Sequence, residues 1–181
     1  MPELIQEQIE QVTSYASRII LGYGLCSNGI VGLKAPRQGL IIPRVHDCIS
    51  LFLGSPGEYE ARMEKEPGVY YLTPGWVAEG KDPIGIVEDD YTARVGRETA
   101  IWAMNEELKH YTKIAFINNG VGDVDALRQR THENARFFNK QFDEVDGSNR
   151  FFRKILFGPY DGPEFITVAA GETVKQDMFF D

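Results

Sequence analysis

Apolar and polar positions change rhythm several times along the chain, and each change predicts an element. From Pro2 to Ser17 the apolar side chains fall at Leu4, Ile5, Ile9, Val12 and Ala16, which is helical spacing with a polar opposite face. Pro2 suits a first helical turn. The run Arg18 to Cys26 is apolar without alternation and interrupted by glycine, the pattern of a strand covered on both faces. Gly39 to Val45 repeats it, and a helix starting at Asp47 and stopped by Gly54 follows.

Further on, Tyr59 to Lys65 is a short helix and Gly68 to Thr73 a strand running into a turn at Pro74-Gly75. Asp89 to Tyr111 has the spacing of a longer helix, with Ala93, Ala100, Ile101, Met104 and Leu108. Lys113 to Ile117 is a strand that ends at Asn118-Asn119-Gly120. Asp123 to Phe142 is another helix, with Val124, Leu127, Ala135, Phe138 and Phe142 inward. A short strand near Val145, a helix from Asn149 to Phe157 and a last strand from Glu164 to Ala169 complete the chain.

Apolar strands alternating with helices predict an α/β fold, with a mostly parallel sheet and helices on both faces in Rossmann-like or flavodoxin-like layering. No repeat, low-complexity tract or long linker divides the chain, so residues 1–181 are expected to form a single domain. Doubly wound domains usually open on a strand, so the topology leads one to expect a strand ahead of the first helix.

Composition narrows the function. The formal charge is −8, which argues against nucleic acid as a partner. No apolar stretch approaches the ~20 residues needed to cross a bilayer, and the acidic start through Glu3, Glu7 and Glu10 is unlike a signal peptide. A cytoplasmic protein with no membrane partner is the expectation, and oligomeric state is left open. Thiols in that compartment stay reduced, so the two cysteines read as ligands, a nucleophile or small core hydrophobes.

In an open α/β sheet, ligands bind outside the carboxyl ends of the strands. Two successive strands end in Gly-Tyr-Gly-Leu-Cys-Ser-Asn-Gly and in Pro-Arg-Val-His-Asp-Cys. If they are parallel neighbours, Cys26, His46 and Cys48 converge. His46 and Cys48 need the turn into the helix to bring them together. Two thiolates and an imidazole suit zinc or another transition metal, and three protein ligands leave a position open for chemistry. Arg44 is placed to bind a carboxylate or phosphate, or to form a structural ion pair. Asp47 would orient ligands, and Asn28 sits in the adjoining turn. Tyr70 and Trp76 lie at another strand end and are expected to line the same crevice against a planar or apolar small molecule. His110 and His132 lie among charges and read as solvated. Phe151-Phe152 and Phe179-Phe180 read as packing residues. The glycines do not match a dinucleotide fingerprint, and there is no Gly-Lys-Ser phosphate loop.

Four ordered stretches, Tyr23 to Gly29, Ile42 to Ile49, Leu53 to Ser55 and Tyr70 to Trp76, resemble the family catalogued as domain of unknown function 1638 (DUF1638). Members commonly carry glycine where this chain has Ser27, and commonly begin with a strand bearing a Cys-Glu pair ahead of the first helix. The resemblance implies a third thiolate from that strand. Members are often encoded near corrinoid-dependent methyltransferases, so it also implies methyltransferase-system proteins as partners and one-carbon metabolism as context. Three functions are therefore weighed. One is a zinc site of Cys26, His46 and Cys48 handling methyl groups on thiols. Another is a carrier of a corrinoid or other large cofactor, with His46 as axial ligand, although the Asp-x-His-x-x-Gly signature of cobalamin-binding domains is missing. The third is a metal-free cysteine nucleophile with His46 as base.

Overall fold

A computed structural model describes residues 2–180, which divide into two compact units. Of the described residues, 2–56 with 149–180 form the first and 57–148 the second.

The first unit opens on helix α1 (Pro2–Val12), whose Ile9 is buried among Ile30, Leu33 and Leu40. Residues 18–26 are not a regular strand. They run extended beside strand β1 (Leu40–Pro43), joined by a parallel bridge between Ile20 and Ile41 and by hydrogen bonds that recur four residues later. Leu21 N–H donates to the Ile41 carbonyl at 2.9 Å, and Leu25 N–H to the Val45 carbonyl at 2.9 Å. Between these points both chains fold back on themselves. Tyr23 N–H bonds the Leu21 carbonyl and Val45 N–H the Pro43 carbonyl, a three-residue turn in each. The matched kinks keep the two segments side by side while removing the ladder that would make them strands.

Helix α2 (Ile49–Leu53) follows and is stopped by Gly54 at φ 92°. Past the second unit's residues, helix α9 (Arg150–Phe157) leads to strand β5 (Phe165–Val168). β5 pairs antiparallel with β1, Leu40 opposite Val168 and Pro43 opposite Phe165. Val45, Leu51, Phe151 and Phe165 close a small core beneath α2.

The second unit begins with most of helix α3 (Pro56–Lys65) and holds the parallel sheet. Strand β2 (Val69–Leu72) runs into helix α4 (Pro74–Ala78), so Pro74-Gly75 starts a helix rather than closing a turn. Thr73 caps it by accepting from Trp76 N–H, and Pro74 sits at the first helical position. The single helix expected over 89–111 is in fact α5 (Pro83–Gly85), a π-helical stretch Ile86–Tyr91, α6 (Thr92–Val95) and α7 (Arg97–Glu107). Gly96 at φ 78° makes the break between the last two, a conformation glycine adopts without steric cost.

Strand β3 (Lys113–Asn118) is central and buried from Ile114 to Ile117. Helix α8 (Val124–Phe137), capped by Asp123, ends five residues early. Asn139 takes the left-handed conformation that closes helices, and Phe142 passes into strand β4 (Gln141–Asp146). The order is β2-β3-β4, all parallel.

The α/β class therefore holds, while the expected single, mostly parallel sheet is corrected. Three strands are parallel, and the other two form a separate antiparallel pair. An apolar run shows that a strand is covered but carries no information about the direction of its partner.

A buried carboxylate organises the second unit. Asp82 is fully enclosed, and its oxygens accept from Arg130 Nε at 3.1 Å, Asn134 Nδ2 at 2.7 Å and Gly85 N–H at 3.2 Å. Asn134 Oδ1 in turn accepts from Ile84 N–H at 2.9 Å. The donors satisfy a charge that would otherwise be expensive to bury. At this point the end of α5 passes so close to Gly80 that a Cβ on Gly85 would lie 2.2 Å from the Gly80 carbonyl oxygen.

Candidate functional site: a thiol pair in a strained turn

Cys26, Ser27 and Asn28 have φ of 41°, 54° and 66°, three successive side-chain-bearing residues in the left-handed region. Such residues occur there singly, at roughly 1–2 kcal/mol each, so three in a row mark a turn its surroundings impose. Two sets of bonds impose it. Leu25 and Cys26 N–H donate to the carbonyls of Val45 and His46, and Gly29 N–H closes the loop onto the Leu25 and Cys26 carbonyls. Glycine at 27, which the resemblance makes the common choice, would relieve part of this strain. Gly24 admits the crossing: a Cβ there would meet Val45 Cγ2 at 2.9 Å and Cys26 Sγ at 3.3 Å.

On the other segment, the chain bends at His46-Asp47 and turns at Cys48, the residue before α2. Asp47 Oδ1 accepts from Ile49 N–H at 2.8 Å, fixing the bend. That turn carries Cys48 to Cys26. Both are free thiols, half-buried, and Cys48 packs against the small core under α2.

The Cys48 thiol donates a hydrogen bond to the Cys26 sulfur, which stabilises the thiolate form there. The backbone N–H groups of Cys48 and Gly24 add to this, and against the opposing effects of burial and the Asp47 charge Cys26 is held down at about 7. Cys48 moves the other way, because its proton is held by Cys26 and because it is buried beside the Cys26 and Asp47 charges. The two thiols thus share one easily lost proton. Tyr23 lies beside them, its phenol pushed up by burial and by the charges of both cysteines. Its ring also covers Gly29, where a Cβ would lie 3.8 Å from the phenol oxygen.

His46 does not join the thiols. Its backbone carbonyl bonds Cys26, while its side chain is exposed and stands edge-on to Phe180, ring centres 4.6 Å apart and planes at 61°. Arg44 donates from Nη1 to the Met178 carbonyl at 2.9 Å and from Nε to the Pro163 carbonyl at 3.0 Å, tying down the segment that ends in Phe180. Asn28 is exposed in the left-handed turn.

Tyr70 and Trp76 belong to the second unit. Tyr70 sits on β2 against Tyr111, ring centres 5.2 Å apart, and burial pushes its phenol up to about 12. Trp76, on α4, is 38% exposed. Their strand shares no sheet with β1, so the sheet order that was to bring them to the crevice of the cysteines does not form.

Sequence reasoning gave Gly24 a role in bending the loop but none to Tyr23, although both stand in the Gly-Tyr-Gly-Leu-Cys stretch. The spacing of Tyr23, three residues from Cys26 across a kink, was the available signal. Phe180 read as tail packing, and nothing local connects it to His46.

Among the described residues, no group of three or more His, Cys, Asp or Glu side chains is arranged to hold a metal ion. The two adjacent sulfurs are the pair with soft-metal chemistry. His46 would add a third donor only with its ring turned from Phe180. Among the described residues, no helix is long and apolar enough to cross a membrane.

A family model described as Protein of unknown function (DUF1638) matches residues 1–156. Nothing among curated proteins or solved structures matches the chain.

Proposed function

Since the chain belongs to the DUF1638 family, whose description assigns no activity, we propose from its own chemistry that the protein works through a reactive cysteine. Cys26 is the nucleophile, a thiolate over a large part of the neutral range, and Cys48 is the donor that stabilises it. The observation that carries this reading is the placement of the two thiols side by side, where Cys26 N–H bonds the His46 carbonyl at 3.0 Å and the bend fixed by Asp47 brings Cys48 across to it. A thiolate rather than a thiol attacks, so whatever lowers the proton affinity of one sulfur selects it for chemistry. The electrophile is a small molecule or a partner's group with a reactive carbon or sulfur. Tyr23 and Asp47 shape the approach, one by covering the turn and the other by setting the bend that presents Cys48.

Iodoacetamide labelling of the full reduced chain at pH 7, followed by peptide mass mapping, tests the assignment. Cys26 should be modified before Cys48, and faster than the thiol of an unstructured cysteine peptide. Preferential labelling of Cys48, or a Cys26 no faster than the peptide, would refute it.

The pair of sulfurs also favours a second reading, a zinc ion held by Cys26, Cys48 and a rotated His46, with the thiolates as methyl acceptors. Metal analysis of protein purified without chelator separates the two. Stoichiometric zinc that is lost together with Cys26→Ser favours the metal, and metal-free protein with a fast-labelling Cys26 favours the nucleophile.

A further inference from the structure

Cys26 and Cys48 are the chain's only cysteines, and the backbone pairing of Leu25 and Cys26 with Val45 and His46, followed by the bend at Asp47, brings their thiols side by side from two adjacent kinked segments. We infer that they form a reversible dithiol–disulfide couple, and that the protein exchanges electrons with small or protein-borne disulfides through it. The inference rests on the reading of Cys26 as the nucleophile and assigns Cys48 a second role, that of resolving thiol.

The steps balance with a disulfide R–S–S–R as the two-electron oxidant. The Cys26 thiolate attacks one of its sulfurs. A Cys26–S–S–R bond forms, the R–S–S–R bond breaks, and the electron pair leaves on RS⁻. Cys48 gives up its proton to solvent and attacks the Cys26 sulfur. The Cys26–Cys48 disulfide forms and a second RS⁻ departs. The protein dithiol is oxidised by two electrons, and one disulfide is reduced to two thiolates. Run backwards, the same steps reduce the protein disulfide to the dithiol while two thiols are oxidised to one disulfide.

The geometry suits this order of events. Cys26 lies in a turn whose next two residues are exposed, and it is assigned the first attack. Cys48 is fixed at the start of α2 over a packed core of Val45, Leu51, Phe151 and Phe165, so it stays beside the mixed disulfide that Cys26 forms. Bond formation requires the sulfurs to close to about 2.05 Å. The missing side chain at Gly24, whose Cβ would stand 3.3 Å from Cys26 Sγ, leaves the Cys26 sulfur room to turn.

The test uses the full reduced chain treated with oxidised glutathione at pH 7.5, quenched with an alkylating reagent and weighed intact. Wild type should lose two hydrogen masses, refuse the alkylating reagent at both positions, and give one linked peptide pair joining Cys26 to Cys48. Cys48→Ser should instead stop as a glutathione adduct on Cys26, accumulating about tenfold or more above the adduct in wild type, because the intramolecular second step is lost. Dithiothreitol should reverse both. Wild type that stops at the Cys26 adduct, or joins two chains instead of its own two cysteines, overturns the couple and leaves the nucleophile standing. A Cys26 that neither forms an adduct nor labels quickly with iodoacetamide overturns both.

Discussion

The nucleophile assignment makes a prediction whose sign reverses with pH. Replacing Cys48 with alanine removes the side-chain donor that does most to stabilise the Cys26 thiolate. The Cys26 proton affinity should then rise from about 7 toward the ordinary thiol range, pushed up by burial and the Asp47 charge and still opposed by the backbone N–H groups at positions 48 and 24. At pH 7 a thiol of pKa about 7 is about half ionised, against about 3% for one at about 8.5, a gain of about 16-fold in thiolate. Intrinsic nucleophilicity falls with pKa along a slope of about 0.4–0.5, which returns about fivefold of that gain. The wild-type Cys26 should therefore alkylate about threefold faster than the variant at pH 7 and about sixfold faster at pH 6. The two rate profiles should cross near pH 8, and above about pH 10, where both are fully ionised, the variant should be about fivefold faster. The assay is the second-order rate of iodoacetamide modification of Cys26, followed by peptide mass from pH 5.5 to 10 in wild type and Cys48→Ala. Circular dichroism serves as the check that α2 persists. Parallel profiles that never cross, or a wild-type midpoint at or above about 8.5, would show that Cys48 does not acidify Cys26 and would remove the physical basis of the proposed function.

Three further changes test the packing on which this chemistry stands. Gly85→Ala forces a Cβ to 2.2 Å from the Gly80 carbonyl, so it should cost about 2–3 kcal/mol or more in urea unfolding, whereas Gly57→Ala, with nothing within 4 Å, should gain about 0.5–1. Equal effects would refute the close approach. Ser27→Gly relieves one residue of left-handed strain at φ 54° and gives back part of that in chain entropy, for a net gain of about 0.5–1 kcal/mol by the same assay. A loss of stability would show that the serine hydroxyl, not the backbone, matters there. Glu164 is held below the usual carboxylate range by Arg150, whose two amine nitrogens meet its two oxygens, and by Lys154. A depressed carboxylate stabilises the fold above its ordinary value of about 4.5 and loses that contribution as pH falls through its folded value. Glu164→Gln should therefore lower the melting temperature at pH 7 and converge on wild type toward pH 3, and a gap that persists at pH 3 would point to lost packing instead.

What the sequence made legible follows from the kind of signal each feature leaves. β3 was readable because all of its inner residues are apolar, and β2 because its run ends at a Thr-Pro that must stop a strand. The helix expected over 89–111 hid its break because Gly96 falls within a stretch whose flanking residues keep helical spacing, and only the backbone angle shows that the glycine is used to turn. The end of α8 was overrun for a related reason. Phe138 and Phe142 are four apart and look like one helical face, yet Asn139 between them takes the left-handed conformation and sends them into different elements. The direction of β1 was not readable at all, since an apolar run pairs equally well with either orientation and the choice lies with β5, far along the chain.

The same contrast explains the site. That Cys26 and Cys48 meet was inferable, because two segments running in parallel with a twenty-residue offset place the residue after Leu25 beside the residue after Val45, and one turn then brings Cys48 across. That His46 stays outside was not implicit in the alternation, since residues two apart on an extended chain face the same way; the bend at His46-Asp47 is what turns Cys48 alone toward Cys26. The His46 partner Phe180 left no trace because an edge-on ring contact between distant residues has no sequence period. The acidity of Cys26 depends on a thiol-to-thiol hydrogen bond rather than on the imidazole that residue types suggested. Composition counts the possible donors, and the fold decides which of them arrives.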